Sequence, residues 1–269
     1  MVGWVSANRK CPRCGEGKPW RVRRGKLKCR ACRREWQPGK LPLTLTRAQW
    51  RRVAHLFVLG LSTNQVREES GLEHRRVLRA LSAIRRALVL DPPEAFVGVV
   101  EVDETSVGGK RRNQRRAARA VKVKHGRGTM KAAVFGIRCR SGQIWAEVVP
   151  NLDAATLMRS IRSHVKQGSV VCSDELSTYT GVAAQGYVHR LVRHGAGQYS
   201  DGRGTHINGL EGFWGYLKRY LVSRGGIRRE RLPLFLNEYV WRYNHRKESI
   251  ASQKTKVLAL LEKAAETKL

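Results

Sequence analysis

Apolar and polar positions change period along the chain, and each change marks a boundary. Between residues 44 and 90 the apolar positions recur every three to four residues. TRAQWRRVAHLFVLGL carries Trp50, Val53, Leu56 and Phe57 at that spacing and predicts a helix ended by Gly60. Ser62 or Thr63 can cap a second helix, TNQVREESGL, with Gly71 as its stop. A third, EHRRVLRALSAIRRAL, would bury Val77, Leu78, Leu81, Ile84 and Leu88 and turn Arg75, Arg76, Arg79 and Arg86 outward. Asp91-Pro92-Pro93 then breaks the helical run. Beyond it the period shortens. FVGVVEVDE predicts a strand ending in carboxylates, and KAAVFGIRC and QIWAEVVP predict two more around a Ser141-Gly142 turn. An amphipathic helix follows over NLDAATLMRSIRSHVKQ, capped by Asn151 or Asp153, then a short buried strand, GSVVCSDE. YVHRLVR predicts a fifth strand, and a last long helix runs from His206 to about Leu221. Residues 254–268 form a short amphipathic terminal helix, a candidate dimer contact.

The N-terminal stretch has no such period, but it has cysteines. Cys11-Pro-Arg-Cys14 and Cys29-Arg-Ala-Cys32 are separated by fourteen residues, the spacing of a zinc ribbon. Each CxxC turn offers two thiolates, and four close a tetrahedral structural site for one Zn²⁺. PWRVRRGKLKC between them reads as a hairpin with Gly25 at its turn. A redox dithiol would need only one pair. Cys139 and Cys172 lie in apolar strand runs and read as buried thiols.

The expected class is therefore α/β: a ribonuclease H-like catalytic domain, from the order β-β-β-α-β-α-β-α, preceded by a zinc ribbon and a small helical module. The boundaries are 1–40 for the ribbon, 44–91 for a helix-turn-helix, and 95–250 for the catalytic domain, with a basic insertion at 109–131. Residues 251–269 form the C-terminal helix. An ordinary bundle with a solvated arginine face is the plainer reading of 44–91.

Charge changes the picture. Lys and Arg number 53 against 21 Asp and Glu, a formal net charge of +32, far beyond what solubility asks. With 41% hydrophobic residues and seven Trp the chain is a folded protein, so the charge points to a polyanionic partner, double-stranded DNA. No apolar run is long enough to span a membrane and the first residues carry no apolar signal segment, which predicts a cytoplasmic, nucleoid-associated protein with no membrane partner.

Against that background three scarce carboxylates, Glu101, Asp103 and Glu104, stand together, and no acid follows until Glu147. Residues 110–131 between them hold ten Lys and Arg. Asp103 and Asp174 each fall at a predicted strand end, where α/β sheets bind ligands. Carboxylates so paired call for a cation, and their hard oxygens suit Mg²⁺ or Mn²⁺, two ions in a phosphodiester-cutting site. Glu101 shares Asp103's strand face and is a weaker candidate; Glu104 faces the other way. In the last helix Leu210, Phe213, Trp214, Leu217 and Leu221 form one apolar side. Asn208, Glu211, Gly215 and Lys218 form the other, which makes Glu211 the candidate third ligand and leaves a surface pair of Glu211 and Lys218 as the plain alternative.

The motifs EVDET-x-VGGK, CSDELSTY, THINGLEGFWGYLKR and WRYNHR resemble DDE-type bacterial insertion-sequence transposases of the ISXO-like group, which carry a zinc ribbon ahead of the catalytic domain. The resemblance covers nearly the whole chain. It implies that Asp103 and Asp174 are the first two catalytic acids. It writes the third position with Glu or Asn, and both are present, as Glu211 and Asn208. A carboxylate holds a hard cation better than an amide, which favours Glu211. Lys218 is expected to position DNA. DNA contacts are expected from Arg75, Arg76 and Arg79, from Lys110, Arg111, Arg112, Arg115 and Arg116, and from His206 and Arg219. Arg242, Tyr243, Asn244 and Arg246 read as a DNA-facing edge, while Ser106 stands where the family's motif has Tyr. The implied activity is cleavage at element ends and joining of 3′-hydroxyls to target DNA by a homodimer. A metal-dependent nuclease or resolvase of the same fold would share the acids; a non-catalytic DNA-binding regulator would not need them.

Overall fold

The computed structural model of the chain describes residues 10–11, 13–37, 41–108, 131–174, 179, 181–192 and 208–267. They belong to two compact units, one running to Asp91 and resuming at Lys247, the other spanning Pro92–Arg246.

In the first unit three two-residue strands, β1 (Trp20–Arg21), β2 (Leu27–Lys28) and β3 (Glu35–Trp36), pair antiparallel in chain order. The hairpin expected around Gly25 is present, and β3 adds a strand the sequence did not announce. Strands this short cannot hold themselves together; Leu27 and Trp36 pack on Cys11 and Cys29 instead. Helices α1 (Arg47–Val58), α2 (Thr63–Ser70) and α3 (His74–Ala87) follow. Thr46 with Gln49 and Ser62 with Gln65 form reciprocal capping boxes at the first two, so each start is fixed by its own side chains. Gly71 ends α2 in the left-handed conformation.

One expectation fails here. Leu78 is 37% exposed, because α3 buries a second row, Ala80, Ala83 and Ala87, beside Val77, Leu81 and Ile84. The terminal helix, α7 (Ile250–Thr267), is engaged within its own chain: it packs on α1 and α3 and buries Val257, Leu258, Leu261 and Ala264. Its apolar face is thereby used within the chain.

The second unit is a mixed α/β layer structure. Strands β4 (Val99–Val107), β5 (Ala132–Cys139), β6 (Ile144–Val149), β7 (Val170–Ser173) and β8 (Val188–Leu191) form one sheet in the order β6-β5-β4-β7-β8. β4, β5 and β6 pair antiparallel; β7 and β8 join parallel to β4 and to each other. Between β7 and β8 the described residues hold only a 3₁₀ turn, Ala183–Gln185, where the expected order has a helix. Helix α4 (Ala154–His164) is capped by Asp153, whose Oδ1 accepts the Thr156 N–H at 2.7 Å.

Strand alternation separates two cores. Val100, Val102, Phe135 and Ile137 share one cluster with Leu157 and Ile161 of α4. On the opposite face Ala132, Val134, Ile144 and Ala146 pack with α5 (Asn208–Ser223) and α6 (Leu232–Asn244) through Leu210, Phe213, Trp214, Leu217 and Leu236. Phe213 ties these two helices together, its ring centroid 5.1 Å from Tyr239 and 5.2 Å from Tyr243.

The WRYNHR segment, read as a DNA-facing edge, makes structural contacts among the described residues. Arg242 Nε donates to Oε1 of fully buried Glu238 at 2.9 Å. Asn244 exchanges two hydrogen bonds of 2.9 Å with the N–H and C=O of Ile144, standing in for a further strand on the outer edge of β6. Arg246 donates to the Gly142 carbonyl at 3.1 Å and stacks over Tyr243.

Candidate active site

β4 does not end in its carboxylates, as the sequence suggested; its pairing with β5 continues to Val107. What ends there is the partner on its other side. The parallel pairing with β7 runs from Val99↔Val170 to Glu101↔Cys172 and then stops. Two residues further along each strand, Asp103 and Asp174 come level, at the mouth opened where β7 parts from β4. Both are partly buried.

Asp103 is raised to about 7, first by burial, then by the neighbouring charge of Glu104 and also by that of Asp174. Hydrogen bonds from the Glu104 backbone and the Trp214 indole oppose the rise without overcoming it. A carboxyl pair in this condition favours a cation between its members, and its oxygens are those that Mg²⁺ or Mn²⁺ takes. The chemistry of the donors fits a hard divalent ion. Glu104, on the other strand face, accepts the hydroxyl of buried Tyr179 at 2.7 Å. That phenol is held well above its ordinary value of 10, by burial first and by Glu104 second.

Trp214 is the contact that sequence reasoning missed. Its Nε1–H donates to Asp103 Oδ2 at 2.9 Å. The expected apolar side of α5, Leu210, Phe213, Trp214, Leu217 and Leu221, is buried as a row. A buried tryptophan needs a partner for its N–H, and that was the available signal. Glu101, the weaker candidate on the same strand face, is completely buried: Oε1 takes the Arg138 guanidinium and Oε2 the Leu210 N–H, each at 2.9 Å.

The opposite side of α5 carries Asn208, Glu211 and Lys218, all exposed. Glu211 lies in the first turn, where a carboxylate suits the helix dipole. Asp103, Asp174 and Glu211 do not bring all their oxygens within 4.8 Å of one another; among the described residues that closeness belongs to Cys11, Cys14, Cys29 and Cys32. Their sulfurs approach to 3.5 Å (Cys11 and Cys32) and 3.4 Å (Cys14 and Cys29). Backbone N–H groups of Arg13 and Cys32 point at Cys11 and Cys29 Sγ, at 3.4 Å each. Burial works against ionising Cys11, but the Arg13 and Cys14 N–H groups, with the Cys32 and Cys29 thiols, outweigh it and bring the thiol down to about 7. Crowding with Cys29 raises Cys14 to about 12 against the pull of the Glu16 N–H, so the set sheds its protons stepwise. Four thiols at this spacing fit a tetrahedral metal such as zinc.

Of the expected DNA contacts, Arg75, Arg76 and Arg79 are exposed on α3, with Arg76 also donating to the Thr44 carbonyl at 3.0 Å. Arg219 is exposed on α5, its guanidinium 4.5 Å from the Tyr216 ring centre. Lys110, Arg111, Arg112, Arg115, Arg116 and His206 lie outside the described residues. Ser106 is exposed near the end of β4. No helix among the described residues is long and apolar enough to cross a membrane.

Known proteins resemble this chain in three ways. A transposase-like protein of Haemophilus influenzae, uncharacterised, is 33% identical over 103 residues, 38% of this chain and 82% of that protein. An uncharacterised protein in the transposable element ISH50 of Halobacterium salinarum is 27% identical over 204 residues, 71% of this chain and 67% of its own length. Among solved structures, the Mos1 transposase paired-end complex with left transposon end covers 84% of this chain and 82% of its own, at 11% identity and a TM-score of 0.31. A pre-cleavage Mos1 transpososome covers the same shares at 12% identity and a TM-score of 0.29. The ISXO2-like transposase domain matches residues 96–244, more than half of the chain and nearly all of the unit that joins Asp103 to α5, and the chain belongs to that family of transposases.

Proposed function

We propose that this transposase cuts DNA at the ends of its element and joins the freed 3′-hydroxyls to target DNA, with Asp103, Asp174 and Glu211 as its catalytic acids. One observation carries the reading. Asp103 and Asp174 stand level just beyond the last paired residues of the parallel strands β4 and β7, and the helix bearing Glu211 is bonded to Asp103 through Trp214. The strand order, three antiparallel strands followed by two parallel ones, supports a ribonuclease H-like catalytic domain.

Asp103, Asp174 and Glu211 would hold two Mg²⁺ or Mn²⁺ ions, which supply charge stabilisation for attacking and leaving oxygens. The chain's own residues do the rest. The carboxylates fix the ligand set at one sheet edge, and Trp214 turns Asp103 by holding one oxygen. Water adds to the phosphodiester at the element end and a 3′-hydroxyl leaves; that hydroxyl then displaces a 3′-oxygen in the target strand. No Ser or Tyr need bond to DNA. Asn208 lies about one turn before Glu211 on the same side of α5 and can reach a scissile phosphate. Lys218, two turns beyond Glu211, orients the backbone.

Elsewhere, the four cysteines would hold one structural Zn²⁺. Helices α1–α3 serve as a helix-turn-helix that reads terminal inverted repeats through Arg75, Arg76 and Arg79. Lys110, Arg111, Arg112, Arg115, Arg116, His206 and Arg219 engage the phosphate backbone. Two ends must meet, so the working form is a homodimer, acting on chromosomal DNA in the cytoplasm.

The test is a joining assay with the labelled terminal repeat, Mg²⁺ and a supercoiled plasmid. Wild type should give joined products; Asp103→Ala, Asp174→Ala and Glu211→Ala should give none, and Asn208→Ala should retain them. Products that survive Glu211→Ala and vanish with Asn208→Ala would transfer the third role to the amide. Cleavage that never proceeds to joining would make the protein a nuclease.

A further inference from the structure

The acids account for chemistry, but not for Glu101. A fully buried carboxylate pair with Arg138 is a poor way to hold a sheet together, since an apolar pair of equal volume does as well or better. An apolar pair cannot, however, accept an N–H. Leu210 is the third residue of α5, and its amide is among those a helix leaves without an internal partner. Glu101 Oε2 takes it, across 109 residues of sequence.

One helical turn on, the same helix meets the same two strands again. Glu101 pairs with Arg138 across the β4–β5 ladder, and Asp103 pairs with Gly136. The Arg138 guanidinium occupies the space a Cβ on Gly209 would need. A Cβ on Gly136 would stand 2.6 Å from Cη2 and Cζ2 of Trp214, so the absent side chain is what admits the indole. The two spacings match. Four residues of helix, Leu210 to Trp214, rise about 6 Å. Two residues of strand, Glu101 to Asp103, span about 7 Å. The helix is thus fastened at two successive points, and it can neither slide nor roll without breaking one of them. Glu211 lies between the two.

We infer that Glu101, Arg138 and Trp214 are positioning residues: a two-point latch, seated on Gly136 and Gly209, that sets α5 against β4 and so fixes where Glu211 stands relative to Asp103. The inference rests on the reading of Asp103 as a ligand of a divalent cation. Partners that orient a ligand from behind are worth roughly 10–100-fold in metal affinity or activity. Trp214→Phe keeps an aromatic ring on this face of α5 and removes the bond to Asp103 together with the outer part of the indole. The double change Glu101→Leu with Arg138→Met keeps an apolar fill and removes the acceptor for Leu210, along with the Arg138 bond to Tyr243.

The experiment titrates Mn²⁺ into the full-length, zinc-loaded protein and reads bound ion by water-proton relaxation, with Asp103→Ala defining the share that belongs to this site. Thermal melting is followed in parallel. Trp214→Phe and the double variant should melt close to wild type and bind the Asp103-dependent Mn²⁺ about 10–100-fold more weakly. Restored stability together with wild-type Mn²⁺ affinity in either variant would overturn the latch, leaving these residues as scaffold only. Absence of Asp103-dependent Mn²⁺ binding in the wild type would overturn it as well. Should the double variant fail to fold, Trp214→Phe decides alone. A wild type that binds Mn²⁺ through Asp103 yet never joins DNA would sink strand transfer as the function and leave the latch standing.

Discussion

The two candidate metal centres are built on opposite plans. In the ribbon the four sulfurs already converge, with all ligand atoms within 4.8 Å, and strands of two residues have little to hold them but that convergence. In the sheet, Asp103 and Asp174 stand level while Glu211 remains exposed on a separate helix, and the scaffold is held by two large apolar clusters whether or not an ion is present. A closed centre spends its ligands on the fold; an open one leaves positions for a substrate. The first should therefore fail as structure and the second as chemistry.

Chelation separates them most sharply. Brief treatment with EDTA should stop joining at once, with full return on adding Mg²⁺, while zinc content by atomic absorption stays at one per chain. Loss of zinc as fast as loss of activity would erase the distinction. Next in size, Cys29→Ser should unfold the ribbon, seen as collapse of its dispersed amide signals, and leave the signals of Pro92–Arg246 in place, because structural zinc binding is folding free energy for so small a module. Gly136→Ala tests the open centre from the side of packing. The added methyl meets the Trp214 ring at 2.6 Å. It should cost about 1–3 kcal/mol by urea titration, the usual range for overpacking, and lower joining further than stability alone would.

The smallest effect is on pH. A carboxyl held at about 7 in the folded chain and near its ordinary value of 3.8 when unfolded binds its proton more tightly in the folded state. Stability contributed this way is complete below about 4 and is lost as pH rises through about 7. Without divalent ions the urea midpoint of the second unit should drift down across that window. Asp103→Asn should remove the drift, and Mn²⁺ should flatten it by holding the charged form. An unchanged drift in Asp103→Asn would assign it to another group.

The sequence announced most of this where the signal is local. Two CxxC pairs stand fourteen residues apart, Ser62 is placed to cap the second helix, and the row Leu210, Phe213, Trp214, Leu217 and Leu221 follows from helical winding alone. What stayed hidden depends on register between distant segments. Nothing in the spacing of Glu101 and Arg138, 37 residues apart, tells that they face each other, because the residues joining β4 to β5 set no readable turn. The same holds for Asn244 on Ile144, 100 residues apart, which closes the outer edge of β6. Leu78 failed for a related reason: α3 packs on α1, α2 and α7, and its own apolar stripe does not declare which arc those neighbours cover.

The packing of α7 on α1 and α3 also bears on how the protein is made. The ribosome releases Arg47–Ala87 long before Ile250–Thr267, and the entire 92–246 unit is synthesised between them. The N-terminal helices must wait, with the surface meant for α7 uncovered, until that unit has emerged. A nonsense mutation shortly after residue 246 would spare Asp103, Asp174 and Glu211 and yet leave the N-terminal unit unfinished. Such a truncated copy would carry an intact five-stranded sheet attached to a module unable to complete its own core.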